Sequence, residues 1–152
     1  MSPSASRGRT ARRCSALAAE AVLALAAILW LAVEATAVCE SRGGITPPQG
    51  RVESPGIVVV YRTTPPVIEL GQHFTIEALI CADDPAAVLT RVDAEMPEHR
   101  HGMNYRPTLK SQGAGRYLAE GFLFHMPGRW QLVFDVERAG RRTRLTGDIL
   151  LE

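Results

Sequence analysis

The chain has 152 residues, 46% of them hydrophobic and 22% charged, with a formal net charge of +1. That composition is globular rather than disordered, and the length fits one domain behind a targeting segment. From Val38 onward thirteen Lys or Arg stand against fourteen Asp or Glu, which leaves no basic footprint for nucleic acid and no field for a strongly acidic substrate.

Arg7, Arg9, Arg12 and Arg13 precede an apolar run over residues 21–33, bounded by Glu20 and Glu34. Positive charge followed by an apolar run is the layout of a signal peptide or a signal anchor, and it predicts one N-terminal hydrophobic helix. A helix of that length rises about 20 Å, short of the ~30 Å hydrocarbon core; extension back to Ser15 reaches a spanning length at the cost of one carboxylate. Ala35-Thr36-Ala37 meets the small-x-small cleavage rule. Two readings stand side by side: cleavage after Ala37, or a membrane anchor retained over residues 15–37. Both place the following domain outside the cytoplasm (in a bacterium, the periplasm), because the arginines stay inside.

Residues 39–55 are rich in Gly, Pro and Ser and read as a linker. The domain then spans residues 56–152. Residues 56–63 are β-branched and aromatic, and Pro65-Pro66 ends the run. Phe74, Ile76, Ala78 and Ile80 alternate on one face; Val92, Ala94 and Met96 alternate against Asp93 and Glu95. Residues 116–124 follow a Gly turn. Trp130, Leu132, Phe134 and Val136 alternate against Gln131, Asp135 and Glu137. Ala139-Gly140 turns the chain into a last strand over residues 141–151. The pattern predicts an all-β domain, an immunoglobulin-like antiparallel β-sandwich of about seven strands.

Cys14 precedes the apolar run, whereas Cys39 and Cys81 follow it. An even pair outside the cytoplasm suits a disulfide between Cys39 and Cys81. Two free thiols, or lipidation of Cys39, are the alternatives.

The histidines are His73, His99, His101 and His125, and the methionines past the initiator are Met96, Met103 and Met126. All but His73 fall in two short stretches, residues 96–103 and 125–128. If residues 99–103 run extended, His99, His101 and Met103 share one face, and Gly102 lets the backbone bend close to an ion. Loops of a sandwich gather at its two ends, so the two stretches can meet at one of them. Imidazole with thioether suits copper, since thioether favours Cu(I). Zinc seldom takes Met, and no carboxylates gather for calcium or magnesium. The candidate ligands are His101, Met103, His125 and Met126, with His99 as a substitute. Met96 continues the inward alternation and belongs to the core, and His73 reads as a surface residue. No nucleophile elbow, C-x-x-C pair or phosphate-cradling loop is present, so the domain is read as non-catalytic.

The segments Asp93-Ala94-Glu95-Met96-Pro97-Glu98-His99-Arg100-His101-Gly102-Met103, Gly115-Arg116-Tyr117 and Gly121-Phe122-Leu123-Phe124-His125-Met126-Pro127-Gly128-Arg129-Trp130 together resemble the YtkA-like domain family, a relative of FixH-type domains. The likeness covers residues 56–137. It implies an exported or membrane-tethered immunoglobulin-like sandwich associated with bacterial membranes, and a link to copper handling or oxidase assembly. Two functions follow as expectations. One is a copper-binding module that carries or buffers the ion outside the cytoplasm. The other is an interaction module that docks a membrane protein partner, for instance during assembly of a respiratory complex, without metal.

Overall fold

A computed structural model describes Cys39 and residues 44–152. The N-terminal apolar run, its cleavage motif and Cys14 lie outside the described residues. Nine strands follow in chain order: β1 (Gly50–Ser54), β2 (Ile57–Thr64), β3 (His73–Ala82), β4 (Val88–Met96), β5 (His101–Gly102), β6 (Thr108–Gly113), β7 (Arg116–Leu123), β8 (Gly128–Arg138) and β9 (Arg141–Leu151). They form a five-stranded sheet in the order β1-β2-β3-β7-β6 and a four-stranded sheet in the order β5-β4-β8-β9. Every pairing is antiparallel. Residues 44–152 contain no helix, and no described helix is long and apolar enough to cross a membrane.

The sheets pack face to face over the side chains that alternate in the sequence. Phe74, Ile76, Ala78 and Ile80 from β3 meet Val92, Ala94 and Met96 from β4 and Trp130, Leu132, Phe134 and Val136 from β8, all buried in one cluster. Fully burying one such large side chain contributes about 1.5–3 kcal/mol, so this layer dominates the stability of the fold.

Nine strands stand where the hydrophobic pattern indicated about seven. Residues 50–54, read as part of the linker, are β1, an edge strand with a single buried residue, Val52. Strand β5 is two residues long, and β6 (TLKSQG) has no fully buried residue. Edge strands bury little and carry polar side chains that discourage further pairing, so they lack the alternation by which central strands are recognised.

The outer faces hold two further buried groups. Asp135 is not solvated: it is 1% exposed and accepts hydrogen bonds from Arg144 Nε at 2.8 Å and a second Arg144 nitrogen at 3.1 Å, with Arg91 at 3.7 Å. Arg144 from β9 and Arg91 from β4 neutralise the carboxylate, and Val133 on the same face is buried as well. The Arg144 hydrogen bonds, then the nearby Arg144, Arg91 and Arg142 charges, outweigh burial and hold the Asp135 pKa below the ordinary carboxylate value. On the five-stranded sheet, Val58, Val60, Leu79 and Cys81 form a small outer core closed by Ile45 and Cys39. A disulfide joins Cys39 to Cys81, with their Cα atoms 5.2 Å apart. Residues 44–49 then climb the same face. Arg116 donates to the Gly44 carbonyl at 3.1 Å, Arg62 to that of Thr46 at 3.5 Å, and Gln49 to that of Pro66 at 2.5 Å.

Candidate metal centre

The β2–β3, β4–β5, β5–β6 and β7–β8 connections collect at one end of the sandwich. The turn after β4 is closed by backbone bonds from His99 N to the Met96 carbonyl (3.1 Å) and from Arg100 N to that of Pro97 (3.3 Å). Residues 99–103 are therefore not one extended run: His99 lies in the turn and only His101 and Gly102 are strand. The left-handed residue of this hairpin is Arg100 (φ 55°), not Gly102. Gly102 instead sits against β4, where an added Cβ would lie 3.3 Å from the Ala94 carbonyl oxygen.

The turn nevertheless brings the imidazoles together. The His99 and His101 ring centroids are 5.9 Å apart. His101 stacks on His125 from the β7–β8 connection at 5.6 Å. Two imidazoles on one ion, with metal–nitrogen bonds of about 2 Å, have centroids about 5–6 Å apart, so these spacings suit a shared ligand after ring rotation. His101 Nδ1 lies 3.0 Å from the Gly102 carbonyl. A carbonyl only accepts, so the neutral ring donates from Nδ1 and its Nε2 lone pair is left for a metal. His99 and His125 are exposed, and His101 is half-buried. Met103 and Met126 are half-buried and pack against the main core beneath. Met96 is core, as its alternation indicated. His73 is exposed at the start of β3 and lines a separate open cleft of about 730 Å³ with Asn104, Tyr105 and Arg106. A smaller hollow of about 330 Å³, bordered by Glu95, Arg100 and Gly102, opens onto His101. Among the described residues no group of three or more His, Cys, Asp or Glu side chains is arranged to hold a metal ion.

Trp130 is the residue that pattern reading assigned only to the core. It is fully buried, stacks on Phe124 at 4.3 Å and donates from Nε1 to the Met126 carbonyl at 2.9 Å. Both candidate imidazoles meet it nearly perpendicularly, His101 at 6.2 Å and His125 at 5.6 Å. One indole therefore underlies both loops and fixes the carbonyl between His125 and Pro127. The register explains the contact: Met96 pairs with His101 across β4–β5, and Glu95 pairs with Gln131 across β4–β8, so Trp130 comes one step further, beside Met96. Gly128, at φ +118°, ends the His125 turn, and an added Cβ would stand 3.1 Å from the Met96 methyl. On the surface Arg129 ties the loops again, through Glu98 at 3.2 Å. No family model, curated protein or solved structure matches this chain.

Proposed function

We propose that the chain is an extracytoplasmic copper-binding module, a YtkA-like, immunoglobulin-like sandwich whose N-terminal segment either is cleaved or holds it to the membrane. The observation that carries this reading is the meeting of His99, His101 and His125 from two separate loops. His99 and His125 are exposed and His101 is half-buried, so the cluster is open to an ion from solvent. His101, His125, Met103 and Met126, with His99 in reserve, form a mixed nitrogen and thioether set that suits Cu(I). Rings that are close but stacked must rotate to converge, which suits an ion that is held and then passed on. Titration of the chain with Cu(I) against a competing chelator tests the reading. His101→Ala combined with Met103→Ala is expected to weaken binding at least about 100-fold. Parent-like affinity in that double variant sinks the proposal.

A second reading has an observation in its favour. The stacked rings, which are not converged on one point among the described residues, suit an end that docks a membrane protein through its shape and needs no ion. In that case neither parent nor double variant binds Cu(I), and both capture the same partner.

A further inference from the structure

The chain leaves the sandwich at the end opposite the imidazoles. Cys81 is the next-to-last residue of β3, whereas His73, the first, pairs with Leu123, two residues before His125. Ten residues of strand rise about 33 Å. The Cys39–Cys81 disulfide therefore fixes the departure point of the N-terminal segment roughly 30 Å from the imidazoles. Without that bond the first strand-held residue is Gly50, which pairs with Tyr61 and through it with Ala78, about halfway along β3. The exposed large apolar side chains are as unevenly placed. Val67 and Leu70 in the β2–β3 connection, Tyr105 in the β5–β6 connection and Leu150 near the end of β9 surround the imidazole end, while Val88 lies at the other.

We propose that the imidazole end is a docking surface turned away from the membrane, and that its occupant is the aqueous domain of a second protein offering soft ligands to the same ion. The inference rests on the proposed copper site and on retention of the anchor over residues 15–37. Five residues separate Val33 from Cys39, a reach of about 20 Å at full extension. The disulfide end thus stays close to the bilayer, and the imidazoles touch lipid only if the domain inverts on a stretched connector. An apolar rim around an ion that changes hands supplies contact area and keeps water from the exchange.

Energy transfer to dansyl-labelled lipid in phosphatidylcholine vesicles tests the orientation. The full chain carrying Trp30→Phe has its one remaining indole, Trp130, at the imidazole end. A second variant, Trp30→Phe with Trp130→Phe and Ala86→Trp, places it in the β3–β4 connection at the disulfide end. Transfer from the second is expected to be several-fold stronger than from the first. Adding Cys39→Ser and Cys81→Ser to the first is expected to raise its transfer, because the first strand-held residue then lies halfway along the sandwich on a longer tether. Transfer from Trp130 equal to or above that of the Ala86→Trp variant puts the rim on lipid and overturns the proposal, as does a full chain that stays off the vesicles. Cu(I) titration of the Trp30→Phe chain, which keeps Trp130, separates the two readings. Expected transfer without Cu(I) binding overturns the soft-ligand partner and leaves the outward orientation standing.

Discussion

The two ends of the sandwich are built on different principles. At the disulfide end polar groups are matched by opposites: Arg138 donates to Asp83 at 2.6 Å and to the Pro55 and Gly56 carbonyls at 3.4 Å, beside the covalent Cys39–Cys81 bond. At the other end Arg129 still pairs with Glu98 on the surface, but beside it imidazole lies against imidazole with thioethers beneath. Matched pairs and a covalent closure stabilise the native state. A cluster of one chemical type contributes little to folding, so the proposed binding role can be tested there without unfolding the domain. Stability and binding are therefore separable by mutation in this molecule.

The largest expected effect breaks the stabilising end. Cys39→Ser with Cys81→Ser opens a closure spanning 42 residues and is expected to cost about 3–4 kcal/mol, read by urea or thermal unfolding. Because the site is remote, Cu(I) affinity should remain within about twofold of the parent. A large loss of affinity there would show that the two ends are coupled.

Asp135 comes next. Its carboxylate is buried beneath Arg144 and Arg91, and Asp135→Asn is expected to destabilise by about 2 kcal/mol at neutral pH, discounted for the half-exposed arginines. Its folded pKa is lowered. The ion pair therefore stabilises above the ordinary carboxylate pKa, and that contribution is lost as pH falls through this value towards the folded one. Unfolding of parent and variant should accordingly converge as pH drops below about 4.

The smallest effect on stability should be the most telling at the binding end. Trp130→Phe keeps a ring on Phe124 but loses the donor to Met126 O. It is expected to cost about 1 kcal/mol in unfolding and about tenfold in Cu(I) affinity, the usual scale for losing a residue that orients metal ligands. In NMR spectra of the parent, the His101 and His125 ring protons should shift together on Cu(I) addition. In the variant they should respond separately. Unchanged affinity and joint shifts would reduce Trp130 to packing.

Sequence periodicity revealed the central strands because β3, β4 and β8 bury alternate side chains, and a period of two is visible wherever only one face is dry. It failed at β1, β5 and β6, where little is buried, and it did not reveal the burial of Asp135, whose partners Arg91 and Arg144 come from other strands. The grouping of His and Met in two stretches was legible from spacing alone. The contact between them was not, because His101 and His125 are joined through the register of β5, β4 and β8 and share a floor, Trp130, that reads as core.

By itself, then, the amino-acid sequence determined the all-β class, the inward faces and the composition of the two His/Met stretches, since these depend on local alternation and on residue type. Only the tertiary structure decided that the stretches meet, that Asp135 is buried and that the Cys39 bond and the imidazoles lie at opposite ends. Those facts depend on strand order and register, which are set by how two sheets close over one core and not by any short run of residues.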